Sequence, residues 1–350
     1  MLGIVFAAGI GAYGFLTQPS FGKRPSGERL KRILNSPNYR DGKFRNPVPT
    51  PVMTGDKNRW QALWEFVFGH HEGVRPDRAL PTVQTDLKQL PEKRDLMVWF
   101  GHSSYLLQIG GKRILVDPVS GAAAPVSFIN RPFAGTDILR PEELPAVDLL
   151  IITHDHWDHL DYKTVKALQG KVDKVICPLG VGEHLEYWGY EKTRLVELDW
   201  SEATRCDSLV IHCLPARHFS GRGLTSCQSL WASFLIESPT LTLFVGGDGG
   251  YGPHFKQIGR SFPRIDWAIL ENGQYNEAWK FIHTMPHQLE QAALDLNARH
   301  IVTVHHSKYA LSTHPWDEPL KTAAALNAKG EVKVAIPVIG EVLSLEHDQP

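Results

Sequence analysis

Val147-Asp148-Leu149-Leu150-Ile151-Ile152-Thr153-His154-Asp155-His156-Trp157-Asp158-His159-Leu160-Asp161 is the stretch on which the fold turns. Its first half is dominated by Val, Leu and Ile, the composition of a short strand buried on both faces. The second half sets three histidines and Asp158 at the spacing His-x-His-x-Asp-His. A loop leaving a rigid strand can aim alternate side chains into one concave space. Imidazole suits zinc, and a nearby carboxylate suits a second cation or a bridge. His154 and His156 therefore read as ligands of one metal, Asp158 and His159 of a second. Asp161 to Leu168 reads as the helix that closes the loop.

Partners for these ligands stand at the ends of other apolar runs. His218 follows "LVIHCLPA", Asp248 lies within Gly246-Gly247-Asp248-Gly249-Gly250 after "LTLFV", and His305 ends "HIVTVH". Strand ends are where a site along one sheet edge draws its residues. The glycines around Asp248 read as room for close approach of metal or substrate. His306 should face away from His305, because successive strand residues alternate. His102, in Gly101-His102-Ser103-Ser104, either lines the cleft or shapes the turn. His287, His300 and His314 read as structural, and Cys177, Cys206, Cys213 and Cys227 as reduced thiols.

Further strands are expected at "LMVWF", "SYLLQIG", "KRILVDP", "KVICP", "LWASFLIE" and "DWAILE", and helices at Pro286 to Asn297 and Trp316 to Leu326. The order runs from β to alternating β and α, with no Gly-x-Gly-x-x-Gly turn after the first strand. That predicts an α/β sandwich with helices packed outside the sheets, not a dinucleotide fold. No internal repeat is visible.

The whole chain of 350 residues carries 37 Lys or Arg against 38 Asp or Glu, a net charge of −1, which excludes a basic nucleic-acid-binding surface as a first expectation. Four cysteines make no disulfide scaffold. Residues 1–22 are uncharged, and Leu2 to Leu16 is a continuous run of apolar residues and glycine. No basic residue precedes it and no good cleavage site follows it. Eight basic residues between Lys23 and Arg45 come after it, against Glu28 and Asp41 alone. This pattern predicts an uncleaved membrane anchor at 1–22, with the enzyme on the cytoplasmic face of the inner membrane and its basic segment near anionic lipid. Periplasmic and soluble placements are the alternatives. Residues 23–94 read as a Pro-rich leader wrapping the core, with Trp60 to Phe68 as a helix packed on it. Residues 95–350 read as the catalytic domain.

The ligand pattern resembles the metallo-β-lactamase-fold hydrolases, whose His-x-His-x-Asp-His signature stands here as His154, His156, Asp158 and His159. "WFGHSSYLLQIGGKRILVDPV", "ARHFSGRG", "GDGGYGPHF", "HPWDEP" and the leader "SPNYRDGKFRNP" resemble its N-acylphosphatidylethanolamine-hydrolysing phospholipase D branch and bacterial relatives. The resemblance implies a four-layer αβ/βα sandwich with two zinc ions. His154, His156 and His218 would hold one, Asp158, His159 and His305 the other, and Asp248 would bridge. His283 falls near that branch's additional active-site histidine. Two zinc ions sharing a water would lower its pKa toward about 7, and the resemblance implies that the metal-bridging hydroxide would attack phosphorus or a carbonyl carbon. Asp248 or Asp158 would orient the hydroxide, and His283 would protonate the leaving oxygen or steady its charge.

The implied function is cleavage of a phosphodiester in an N-acylated phospholipid. A lactonase acting on a sugar or acyl lactone is the alternative. A metal-binding scaffold without turnover is the other class, disfavoured because a structural zinc closes with four ligands and needs no second metal. Gly121 to Gly135, apolar yet broken by Pro and Gly, reads either as a lipid-gripping loop or as an ordinary buried connection.

Overall fold

In the computed structural model, which describes residues 2–54, 69 and 71–346, two seven-stranded mixed sheets face each other. Ahead of them come helices α1 (Leu2–Leu16) and α2 (Gly27–Leu34) and a small hairpin of β1 (Tyr39–Arg40) and β2 (Lys43–Phe44). The first sheet begins as a meander of β3 (Leu96–Trp99), β4 (Tyr105–Ile109) and β5 (Lys112–Val116). Gly110 and Gly111 make the β4–β5 turn at φ 58° and 77°, a conformation that costs glycine nothing. Pairing then becomes parallel through β6 (Val147–Ile151), β7 (Val172–Pro178) and β8 (Leu195–Leu198).

The second sheet repeats the plan. β9 (Ala203–Cys206), β10 (Leu209–Leu214), β11 (Ser233–Glu237) and β12 (Thr242–Val245) are antiparallel. β13 (Ile265–Glu271), β14 (Ala298–Val304) and β15 (Lys333–Ala335) continue parallel to β12. The last strand, β16 (Val342–Ser344), returns to pair antiparallel with β3 in the first sheet. Each sheet thus has three antiparallel contacts followed by three parallel ones. The sequence shows no trace of this repetition.

Packing follows from residue type. Met97, Leu107, Ile114, Ile151, Phe234, Val245 and Ile269 point between the sheets and make one core. Leu150, Ile152 and Val175, on the outer face of the first sheet, are covered by α3 (Tyr162–Leu168) and α4 (Gly182–Tyr187). The outer face of the second is covered by α5 (Pro253–Ser261), α6 (Leu289–Asp295) and α7 (Glu318–Lys329) through Phe255, Leu289, Ala292 and Leu326. The result is the expected α/β sandwich, with helices outside both sheets. Asp161 caps α3 by accepting the Thr164 N–H at 2.8 Å. α7 starts two residues later than expected, at Glu318, and runs on to Gly330 in the left-handed conformation.

The leader is woven into this body. Ile33 and Phe44 are each 1% exposed and join the core between the sheets. Three of its cations pair with acids of the body: Arg29 meets Glu183, Glu186 and Glu197, Lys23 meets Glu183, and Arg32 meets Glu202. The positive charge expected to face lipid is therefore partly used in holding the leader down. At about 1.5 Å per residue, α1 is shorter than a bilayer core of about 30 Å. No helix among the described residues is long and apolar enough to cross a membrane. The helix expected at Trp60 to Phe68 lies outside the described residues.

Candidate metal centre

The parallel strands end on one edge, where α/β sheets place their ligands. Asp117 follows β5, the 153–159 loop follows β6, Asp248 follows β12, Glu271 ends β13 and His305 follows β14. His218 arrives on the connection after β10. Thr153 stitches the edge together: its N–H donates to Asp117 Oδ1 at 2.8 Å, and its carbonyl accepts at 3.0 Å from the N–H of Ala232, just ahead of β11 of the other sheet.

Three imidazoles form one half of the cradle. His156 Nδ1 lies 2.9 Å from His154 Nε2 and 3.2 Å from His218 Nε2. His218 Nδ1–H donates to Ile282 O at 2.8 Å, so its bare Nε2 faces inward. Burial drives the pKa of His154, His156 and His218 below the ordinary histidine range. The rings are thus neutral, the form that offers a lone pair. Asp155, between two of them, points away and accepts from Gly221 N–H and Ser229 Oγ–H at 2.7 Å each. It also accepts from His184 Nε2–H at 3.2 Å, and His184 Nδ1 accepts the leader's Lys23 N–H at 3.0 Å. Asn46, also of the leader, grips the His218 backbone at both N–H and C=O, at 3.2 and 2.7 Å.

The other half is rich in carboxylates. Asp158 Oδ2 lies 3.5 Å from His159 Nε2 and 3.4 Å from His305 Nε2. Behind these rings stand buried acids. His159 Nδ1–H donates to Asp117 Oδ2 at 2.8 Å, and His305 Nδ1 is 3.4 Å from Glu271 Oε2. Burial opposes charge on His159, but Asp248, Asp158 and Asp117 outweigh it and hold its pKa well above the ordinary range. The same contest, with Asp248 the leading acid, pushes His305 up to about 10. Asp248 lies between the halves, 3.1 Å from His159 Nε2, 3.2 Å from His305 Nε2 and 3.8 Å from both His154 and His218.

The donors fit a cation. His159 Nε2 and Asp248 Oδ1 are fully buried and make no hydrogen bond, though they lie 3.1 Å apart. Each such atom costs about 1–3 kcal/mol unless something else satisfies it, and a metal held by imidazoles and carboxylates does so.

The structure brings together all seven sequence-derived ligand candidates, and His283 stands beside them. The His283 ring stacks on His305 at 5.2 Å and meets His218 edge-on at 5.2 Å. His102 both lines the cleft and shapes its turn: at φ 53° it places Nε2 2.8 Å from Asp158 Oδ2. Burial and the neighbouring His305 ring lower its pKa to about 3. His306 turns away to Thr303 and Ser307. The glycines around Asp248 make room for backbone instead of ligand, since a Cβ on Gly250 would meet Phe281 O at 2.2 Å. All four cysteines are free thiols. Sequence reasoning missed Asp117, Glu271 and Asn46. The signal for Asp117 and Glu271 was a carboxylate at the carboxyl end of an apolar strand; Asn46 carried none.

A sequence profile described as a beta-lactamase superfamily domain matches residues 112–306. An uncharacterised protein of Mycobacterium tuberculosis is 39% identical over 312 residues, covering 87% of this chain and 84% of its own. The N-acyl-phosphatidylethanolamine-hydrolyzing phospholipase D 1 of Caenorhabditis elegans is 29% identical over 233 residues, 61% of this chain and 64% of its own. Among solved structures, the metallo hydrolase Igni18 of Ignicoccus hospitalis shares the fold, with a TM-score of 0.54, 20% identity and coverage of 73% and 99% of the two chains.

Proposed function

The chain belongs to the beta-lactamase superfamily, as one of its metal-dependent hydrolases, and we propose that it is a phospholipase D-type phosphodiesterase acting on N-acylated phospholipids at a membrane surface. In this reading His154, His156 and His218 would hold one zinc ion, Asp158, His159 and His305 would hold a second, and Asp248 would serve both. When bound, the pair would supply an acidified water and a Lewis acid for the substrate oxygen. The observation that carries the reading is the position of Asp248, within 3.1–3.8 Å of histidines from both halves.

The chain's own residues divide the remaining work. Asp248 and Asp158 accept hydrogen bonds from the attacking nucleophile and orient it. His283, tied through Nδ1 to Glu271 at 2.8 Å, keeps a bare Nε2 that takes a proton from the attacking water and passes it to the leaving oxygen. Phe219 lies against His156 and His218, with ring centroids at 4.5 and 5.0 Å, and walls the cradle on its apolar side.

A lipid substrate is supported by the relative from Caenorhabditis elegans and by exposed apolar groups. Ile10, Tyr13 and Phe15 are exposed on α1, and Phe128 and Ile129 at the tip of the 121–135 loop. A cavity of about 240 Å³ beside Asp155 has an apolar wall of Leu16, Phe21 and Leu224 and a basic one of Lys23, Arg24 and Arg222. We read α1, which carries no charged residue and is too short to span the hydrocarbon core, as an apolar anchor that enters one face of the bilayer without crossing it.

A hydrolysis panel tests this reading. Zinc-loaded protein should convert N-acylphosphatidylethanolamine in vesicles to phosphatidic acid and an N-acylethanolamine. Turnover of sugar or acyl lactones alone would reassign it as a lactonase. No turnover with the cations bound would leave a scaffold. Residues 19 and 20 are tied down by Trp188 Nε1 and Arg222, each through one backbone carbonyl, so the membrane test deletes residues 2–16 only. Equal recovery of both forms in the membrane fraction would remove the anchor.

A further inference from the structure

Glu271 is 4% exposed and ends a strand buried along its whole length. Its register partner on β14 is Val304, one residue before His305. A carboxylate at such depth is costly unless donors meet both oxygens. Here they do. Oε1 accepts the Thr284 N–H, Oε2 accepts the His283 Nδ1–H at 2.8 Å, and His305 Nδ1 lies 3.4 Å from that same Oε2. The chain beyond Glu271 is pinned as well, since a Cβ on Gly273 would stand 2.2 Å from His305 O. The rings of His283 and His305 stack nearly parallel, at 23°.

We infer that Glu271 is a positioning residue that sets two histidines at once. It fixes the proton of His283 on Nδ1, leaving Nε2 as the working nitrogen, and it orients His305 so that its Nε2 faces Asp158 and Asp248. The inference rests on the proposed function only for the use made of His283; the tautomer and the orientation stand apart from it. A carboxylate is required because the Thr284 N–H takes one oxygen and the His283 Nδ1–H the other, while His305 Nδ1, buried and without a hydrogen bond, has the second oxygen as its nearby charge at 3.4 Å. Glutamine has one acceptor oxygen. If that oxygen stays with the Thr284 N–H, the amide NH2 faces His283 Nδ1, which must then accept, and the ring proton moves to Nε2.

The experiment uses the full-length chain labelled with 15N-histidine, metal-free, with the His283 signal identified by its loss in His283→Gln. The wild type should show the Nδ1–H tautomer and Glu271→Gln the Nε2–H tautomer. Glu271→Asp, which keeps two acceptor oxygens, should keep the wild-type tautomer and shows that the fold tolerates change at this position. In zinc titrations, Glu271→Gln should retain one tight equivalent and weaken the other about 10–100-fold. At saturating zinc, Glu271→Gln should lower kcat on bis-p-nitrophenyl phosphate about 10–100-fold with KM nearly unchanged. Added to His283→Ala, it should lower kcat no further. An unchanged tautomer with unchanged zinc binding overturns the inference, as does full additivity with His283→Ala. A flipped tautomer together with a His283→Ala variant of normal rate supports the positioning and overturns only the proton-transfer step.

Discussion

The two halves of the cradle are built from the same ligand and opposite surroundings. His154 and His218 have a hydroxyl and a carbonyl behind them and Asp248 no nearer than 3.8 Å, and for these two and His156 burial outweighs the nearby acids and keeps the rings neutral. His159 and His305 back onto Asp117 and Glu271 and face Asp248, and the acids keep protons on them despite burial. The contrast teaches that burial alone does not set a histidine's charge; what stands behind the second ring nitrogen decides it. One half is ready for a cation, whereas the other must release protons to take one.

Removing Asp248, the element common to both halves, should produce the largest effect. Asp248→Ala is expected to cut hydrolysis more than about a hundredfold and to loosen at least one cation while the circular dichroism spectrum is retained. Preserved turnover would refute the shared role.

The next effect distinguishes the halves by proton release. Calorimetry of the metal-free protein in buffers of different ionisation enthalpy should show few protons leaving with the first equivalent and more with the second. Histidines held charged above their ordinary value of about 6.5 shed those protons more easily as pH rises. Affinity for the second equivalent should therefore climb with pH from about 6.5 toward about 10, while that for the first stays nearly flat. Equal slopes would erase the difference.

Asp117→Asn should weaken the acidic half's equivalent about 10–100-fold and the other much less, because the carboxylate meets His159 directly and reaches His154 only through the Thr153 hydroxyl. The smallest effect falls on the neutral half. Asn46→Ala removes the leader's grip on the His218 backbone and should cost about 1–3 kcal/mol in urea unfolding, with a modest loss of the first equivalent. An unchanged midpoint would show that the leader does not brace the site.

Much of this could be read in the sequence, for reasons visible in particular residues. The strands that build the cradle are long apolar runs, so their existence and the strand-end position of His154, Asp248 and His305 follow from composition. The edge strands β8, β9, β15 and β16 are three or four residues long and show at least one partly or fully exposed residue each. They carry no periodic signal and went unnoticed. α5 was hidden by the glycine and proline at its start. Lys23 bonds His184 and Asn46 bonds His218 across separations of 161 and 172 residues, and only the folded topology reveals such pairings. The leader's basic residues suggested lipid because their acidic partners, Glu183, Glu197 and Glu202, stand far along the chain.

The most direct test of the two-cation account is a crystal of the zinc-loaded full-length chain measured at the zinc absorption edge. Two anomalous peaks should appear, one among His154, His156 and His218, the other among Asp158, His159 and His305, with the Asp248 carboxylate between them. A single peak, or none in this cradle, would contradict the account.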